Sequence, residues 1–492
     1  MIRSKSVFGF AFFLMLAFLI HAEARADDAP PQQSSSSSTA STTPSLSQFG
    51  LIGRWAQVYK DGFTTPDATA DSASPSYRGL PAPLDSPPFP SADYPLGGSP
   101  VIGAPYANVP PLMQAIYEGP GGDAIKESRI QVYGWVQPSL NLSTSQHSNY
   151  PVTYDVYPNK VELDQAVMYI ERVPDSVQTD HVDWGFRIAN LYGENYRFTT
   201  MNGVLSNQLL KDNHRYGYDP VMVYGDLYIP QVAQGMNLRV GRFISVPDIE
   251  AQLAPNNYMY THSLLYSIDP YTDIGAMTTT KLNDNWVYQI GVTGGHDTAP
   301  WTSSAQASLT SCVRWTSSDN NDSLYPCVNG LNGGQYGYNN LQMFVNTWSH
   351  RFSDRWHMET EAWYMYQKNV PNLNSASAPA LIPGANGAFC KAGDPTCFAD
   401  EYAAVNYLQY KVSDHNKDYV SLRNDMLNDL TGQRTGYATL YTESTLAYIR
   451  YLSDQVIMRP EIRYDHSYDK AAYDNGGTRN QVTFATDMIV NF

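Results

Sequence analysis

The chain has 492 residues and a formal net charge of -16, a balance that excludes the basic footprint nucleic-acid binding requires. Mean hydropathy is -0.38, and after Ile20 no stretch approaches the roughly 20 apolar residues a membrane-spanning helix needs. Aromatic residues make up 13%, including 37 Tyr, a strand former that also suits a membrane–water boundary.

The N-terminus carries Arg3 and Lys5, then an apolar run over 7–20, then the small-x-small triplets Ala22-Glu23-Ala24 and Ala24-Arg25-Ala26. This pattern predicts a secretory signal peptide over 1–26, cleaved after Ala26. An exported chain that enters a membrane without helices must close a β-barrel, because open strand edges cannot be hydrogen-bonded in lipid. Barrels escape hydropathy scans because lumen and lipid residues alternate and average out.

Residues 27–128 form a Ser/Pro-rich region. A serine run at 34–38 lies in a Ser/Thr/Ala/Pro tract, and proline-dense stretches follow at 80–84 and 86–90. Composition favours a linker or tail with little order over a plug or strap folded into the barrel mouth. Residues 48–63 stand apart. Phe49, Leu51, Ile52, Trp55, Val58 and Phe63 predict one face of a short amphipathic helix, capped by Ser45 or Ser47.

From 129 to 492 alternating segments recur, at 130–143, 162–172, 183–192, 221–229, 237–244, 271–282, 286–294, 341–352, 356–367, 404–412, 419–427, 438–451, 455–465 and 481–492. They predict an all-β fold: a transmembrane antiparallel up-and-down barrel of about 14 strands, within a range of 12–16, with 16 reached if a hairpin lies inside 298–340 or 193–220. The connections alternate. Those at 173–182, 230–236, 283–285, 353–355, 413–418 and 452–454 are short, and most of those between are longer, as at 193–220, 245–270, 298–340 and 368–402. Short turns on one rim and long loops on the other are expected of an outer-membrane barrel, with the short rim in the periplasm.

The terminal strand has Val482, Phe484, Thr486, Met488, Val490 and Phe492 on one face and Gln481, Thr483, Ala485, Asp487, Ile489 and Asn491 on the other, with Ile489 breaking the alternation. A closing strand that ends on Phe492 is the expected contact for outer-membrane assembly machinery. Along the other strands the face opposite the apolar one carries Arg187, Arg239, Glu359, Glu361, Arg423, Asp425, Glu443, Arg459, Glu461, Arg463, Asp465 and Asp487. Each Arg or Lys facing lipid at the midplane would cost roughly 2–4 kcal/mol, so these charges are expected to line a pore; a mutually neutralising lattice in a closed barrel is the alternative. Segment 245–269, with Asp248, Glu250 and Asp269, is the candidate constriction, against an ordinary outward loop.

Cys312, Cys327, Cys390 and Cys397 fit an oxidising compartment. Of three pairings, the local ones, Cys312–Cys327 and Cys390–Cys397, are favoured, each stapling one outer loop. No Cys/His spacing suits a metal, and no cofactor is expected. No enzyme is expected either: Gly-x-Ser-x-Gly and His-Glu-x-x-His are both missing, and adjacent His262 and Ser263 would point to opposite faces of a strand. Asp319-Asn320-Asn321-Asp322 fits a solvated loop better than a calcium site, since the glycine and distal glutamate of a calcium hand are lacking.

The C-terminal third resembles the OmpL-like β-barrel porin family. The resemblance rests on Asn406-Tyr407-Leu408-Gln409-Tyr410, Ser421-Leu422-Arg423-Asn424-Asp425, Gly432-Gln433-Arg434-Thr435-Gly436-Tyr437 and Met458-Arg459-Pro460-Glu461-Ile462-Arg463-Tyr464-Asp465, with Gly241-Arg242-Phe243 and Asn256-Asn257 earlier. Asp425 stands where the family block carries glutamate. The resemblance covers about 130–492 and implies a porin-like barrel of the bacterial outer membrane, with no particular substrate and no catalytic residues. The expected function is passive diffusion of small hydrophilic solutes, with outer-membrane lipids and those solutes as partners; the alternative is a closed barrel whose stapled loops bind at the surface or serve a structural role. The sequence does not set an oligomeric state.

Overall fold

The computed structural model describes residues 49–64, 102–103, 109–244, 247–319, 321–413 and 417–492. The signal-peptide and serine-tract readings, the proline-dense stretches and the caps at Ser45 and Ser47 fall outside these residues. Seventeen strand segments form one sheet, and two of them are halves of a single strand, so the described residues hold sixteen strands. In chain order these are β1 (Ile130–Ser143), β2 (Val161–Arg172), β3 (Asp183–Gly193), β4 (Gly217–Ile229), β5 (Met236–Ile244), β6 (Thr272–Lys281), β7 (Trp286–Thr293), β8 (Ser308–Thr316), β9 (Asp322–Leu331), β10 (Gln342–Arg351), β11 (Trp356–Pro371), β12 (Thr396–Lys411), β13 (Tyr419–Asp429), β14 (Thr439–Ser453), β15 (Val456–Met458 and Glu461–Ser467) and β16 (Asn480–Asn491). β15 is interrupted at Pro460, which has no N–H to give the ladder, yet both halves pair with β14 and with β16.

Each strand pairs antiparallel with the next, and β16 closes on β1. The last bridge of that seam joins Gly134 and Phe492: Phe492 N donates to Gly134 O at 2.7 Å and Gly134 N to Phe492 O at 3.1 Å. Closure leaves no open edge in lipid, which is the condition for spanning. The count exceeds the expected 14 by one hairpin, β8–β9, which lies inside 298–340.

Burial alternates along the strands. In β16, Gln481, Thr483, Ala485, Asp487 and Ile489 are buried inward while Val482, Phe484 and Met488 are more exposed on the outside. Ile489 breaks the polar pattern because it belongs to an apolar knot at the short-turn rim, opposite Ile457 and in one cluster with Ile449.

The cysteine pairs form as expected, Cys312–Cys327 and Cys390–Cys397, but only the second lies at the long-loop rim. Cys312 on β8 and Cys327 on β9 are register partners inside the barrel wall, both buried. The expectation that this pair staples an outer loop is therefore corrected: the missed hairpin turned two loop cysteines into strand residues.

Among the described residues three helices precede the barrel: α1 (Leu51–Thr64), α2 (Pro111–Tyr117) and α3 (Gly122–Ser128). α1 forms where expected, but its predicted face is covered only in part. Arg54 and Val58 are buried, whereas Ile52 is 80% and Phe63 55% exposed. Arg54 sets this orientation by donating to Ala115 O and Phe49 O, both at 2.6 Å, which locks α1 onto α2. Tyr59 hydrogen-bonds the carbonyl of Asn491, and Met113 of α2 accepts from Val132 N at 3.2 Å, so the helices stand at the seam on the short-turn rim.

Candidate functional site: a loop anchored across the barrel

The connection between β5 and β6 does not project outward. Its described part, from 247 to 271, is almost entirely buried. Local chemistry folds it back on itself. Pro255 opens a single 3₁₀ turn, Ala254–Asn256. The Asn257 side chain accepts from Ala251 N at 2.9 Å and donates to Ala251 O at 2.7 Å and Leu253 O at 3.1 Å. Ser263 then caps the one-turn helix Leu264–Ser267, its Oγ accepting from Tyr266 N at 3.0 Å.

The loop's far contacts place it. In a ring of sixteen, β13 is eight positions from β5, directly opposite. The loop binds that opposite wall through charged side chains. Arg423 on β13 donates through Nη1 to Thr261 O and through Nη2 to Thr261 Oγ1 at 3.1 Å. Arg463 gives Nη1 to His262 O at 2.5 Å, and Arg459 gives Nη1 to Ala254 O at 2.9 Å and Asn257 O at 2.8 Å. Carboxylates take the loop's amides: Glu461 accepts from Tyr260 N at 3.1 Å, Asp425 from Leu264 N at 3.0 Å and Glu361 from Ile249 N at 2.8 Å. Glu250, on the loop itself, accepts from Ser263 N at 2.9 Å and from the Tyr407 hydroxyl at 2.7 Å.

Each anchoring arginine also has a carboxylate partner on the wall. Arg423 pairs with Glu443 at 3.0 Å, Arg463 with Asp465 at 2.8 Å and Arg459 with Asp487. Buried charges persist when they are paired and hydrogen-bonded, and here loop carbonyls take the Nη1 donors of all three arginines. On β2–β5 a second group pairs within the wall: Arg187 with Glu171 at 2.6 Å, Arg239 with Asp226 at 2.9 Å and Arg242 with Asp219 at 2.6 Å. The Arg239 guanidinium lies 3.6 Å from the Tyr224 ring centroid.

The inward set read from the alternation thus faces inward, but the members on β13–β16 do not stand open to a water column: Arg423, Arg459, Arg463, Glu461 and Asp465 are all 1% exposed or less. Glu359 and Glu361 are buried on β11. Arg242 was missed because the alternation breaks at Gly241, whose φ of 137° suits glycine, and where a Cβ would come within 2.3 Å of Val223 O. Thr261, Tyr407 and Gln165 were missed because their roles depend on the loop; Gln165 Nε2 donates to Gln252 O at 2.6 Å.

Asp248 and Asp269, at the two ends of the loop, are neighbours whose carboxyls act on each other electrostatically. Burial pushes the Asp248 carboxyl up to about 7 and Asp269 well above the ordinary carboxylate range. Burial pushes His262 down to about 3, so its ring is neutral; it contacts Tyr154, and its Nε2 lies 2.8 Å from Ala251 O. With Ser263 held by Glu250 and the helix cap, His262 and Ser263 do not form a nucleophile–base pair.

No curated protein sequence matches the chain. Among solved structures, it is similar to the outer membrane channel DcaP of Acinetobacter baumannii, with 11% identity over 74% of this chain and 97% of that one and a TM-score of 0.44. It is similar to an anion-selective porin from Comamonas acidovorans, with 9% identity, 74% and 99% coverage and a TM-score of 0.45. A third likeness is to a loop-deletion mutant of OmpT, an outer membrane protein of Vibrio cholerae, with 12% identity, 74% and 99% coverage and a TM-score of 0.44. Scores this low do not fix a fold, which rests on the strand ladder itself. The model of the family described as "Putative beta-barrel porin-2, OmpL-like" matches residues 129–492, the whole barrel, and the chain belongs to this family of bacterial outer-membrane porins.

Proposed function

We propose that this porin-like barrel carries small hydrophilic solutes by passive diffusion, and that the loop over 247–271 divides its bore. The observation that supports the reading is the loop's course from β5 to the opposite wall, where Arg423, Arg459, Glu461 and Arg463 hold it. In this reading those residues act on selectivity through the position of the loop, while Asp248, Glu250 and Asp269 place acidic groups on it. Arg187, Arg239, Glu359, Glu361, Asp425, Glu443, Asp465 and Asp487 complete the charged inner face. Charge focused by low-dielectric walls selects solutes most strongly where a path is narrow.

Planar-bilayer recordings of purified protein test the reading, with liposome swelling in a graded set of sugars, amino acids and anions to identify the solute class. Discrete conductance steps and size-dependent swelling are expected. Protein that folds in detergent, shows the heat-dependent mobility of a barrel and never conducts would overturn it. The alternative, a closed barrel acting through stapled outer loops, has less support with Cys312–Cys327 in the wall.

A further inference from the structure

The loop carries three carboxylates, and their surroundings differ. Glu250 is spent on Ser263 and the Tyr407 hydroxyl and lies 4.0 Å from Arg423. Asp269 is 2% exposed, and neither of its carboxylate oxygens has a hydrogen-bond partner among the described residues. Asp248 is the one residue over 247–271 that is not buried, so it marks where the loop borders open space. Its Oδ1 points the other way, buried and without a partner. On β11, Glu361 takes Ile249 N with Oε2 at 2.8 Å and leaves Oε1 without a partner. Asp248 acts electrostatically on Asp269 and Glu361, and those two act on each other, so the three carboxylates form one cluster.

Elsewhere the inner face balances its charge, each of the six arginines named above having its own carboxylate. Here that balance fails. Among the described residues no Arg or Lys pairs with Asp248, Asp269 or Glu361. His296, whose charge reaches Asp248, is held by Asp273 at 3.2 Å. Arg434, whose charge reaches Asp269, gives Nε to Ile268 O at 2.9 Å and Nη1 to Asn339 Oδ1 at 3.0 Å, both neutral acceptors. A fourth carboxylate follows on the same side. Glu401 on β12 is the register partner of Met365, which stands four residues nearer the long-loop rim than Glu361, about 13 Å along the wall. Glu401 is fully buried, and both of its oxygens lack a partner.

A buried carboxylate without a partner is unfavourable unless it takes a proton or a cation. A surface made only of acceptors calls for a ligand made of donors. Among the described residues no group of three His, Cys, Asp or Glu side chains is placed to hold a metal ion, so the ligand's donors must be spread out. A guanidinium spreads five N–H donors over a plane and is more weakly hydrated than an ammonium. It reaches oxygens that do not converge on one point, and it sheds its water more readily on entering.

We propose that Asp248, Asp269 and Glu361 form a binding site for the guanidinium group of a small cationic solute, with Glu401 as a second stop toward the long-loop rim. The solute's route through the bore rests on the passive-diffusion reading; the site itself does not. The test is calorimetric titration of the full-length folded protein in detergent with methylguanidinium chloride, at about pH 8, where Asp248 has lost its proton. Saturable binding is expected. Asp269→Asn combined with Glu361→Gln should weaken it roughly tenfold or more, the loss expected for charge-assisted hydrogen bonds, while Asp319→Asn at the short-turn rim should not change it. Both variants should keep the heat-dependent mobility of the barrel, since neither change removes a partner from another side chain. No saturable binding by the wild type, equal binding by the double variant, or displacement of methylguanidinium by equimolar calcium would overturn the proposal. Planar-bilayer recordings of the same preparation separate the two readings. Protein that binds methylguanidinium and never conducts refutes passive diffusion and upholds the site, whereas protein that conducts and does not bind refutes the site alone.

Discussion

Arg459, in the break of β15, and Asp487 on β16 face each other inside the barrel, and the same guanidinium that pairs with Asp487 reaches the loop carbonyls of Ala254 and Asn257. One side chain therefore joins the wall to the loop that crosses the lumen. Its charge is neutralised on one edge, and its remaining donors are spent on the other.

Arg459→Ala leaves the Asp487 carboxylate buried without its cation and frees two loop carbonyls. Breaking one member of a buried pair typically costs about 3–5 kcal/mol. The β-ladder is unaffected by the change, so the barrel is expected to fold while the loop loosens. Single-channel recordings should show higher and noisier conductance, and thermal unfolding should begin lower. Unchanged conductance with lowered stability would confine Arg459 to a structural role.

The loop should respond to pH. Asp248, with a value of about 7 in the folded protein, sits with Asp269, Glu250, Asp273, Glu361 and His296 as its charged neighbours. A carboxyl raised above its ordinary value favours the folded arrangement while it holds its proton. This contribution is complete below about pH 4 and is lost as pH rises through about 7. Conductance noise should rise between pH 6 and pH 8, to order of magnitude in that window, and Asp248→Asn should flatten the change. A profile identical in the variant and the wild type would show that other groups carry the pH response.

The two disulfides should differ in reactivity. Cys312 and Cys327 are 1% and 5% exposed in the wall, whereas Cys390 and Cys397 are half-buried at the long-loop rim. A membrane-impermeant reductant should open Cys390–Cys397 first and make residues 372–395 sensitive to protease. Closing a loop with a 15-residue separation is worth about 3 kcal/mol on a chain-entropy basis, small beside a complete ladder. Cys312→Ser with Cys327→Ser should therefore still give a heat-modifiable barrel. Alkylation order read by mass spectrometry checks the first expectation and gel mobility the second.

The seam depends on a glycine. A Cβ at Gly134 would fall 1.9 Å from Val167 O and 2.8 Å from the Phe492 ring, at the bridge where β16 closes on β1. Gly134→Val should sharply reduce the folded fraction in the outer membrane, while Gly225→Ala, whose Cβ meets nothing nearer than 3.9 Å, should not. Equal folded yields in the two variants would show that the seam tolerates the crowding.

What the sequence by itself determined is what depends on neighbours along one strand. Period-two alternation separates inside from outside residue by residue, so the barrel class, the inward direction of Arg423, Glu461 and Asp487, and the alternation of rims were legible without any long-range information. The β8–β9 hairpin was not, because Ser311 and Pro326 on the outward face and Cys312 and Cys327 on the inward face blur the contrast between faces. The exposed face of α1 was not, because Arg54 finds its partner at Ala115. The tertiary structure alone decided the course of the loop. Its Pro, Asn and Ser residues specify turns, but whether those turns lie in solvent or across the lumen depends on carbonyl and amide partners such as Thr261 and Tyr260, whose wall contacts Arg423 and Glu461 lie 162 and 201 residues away. Alternation shows that a charge faces inward; only the closed ring shows what stands opposite it.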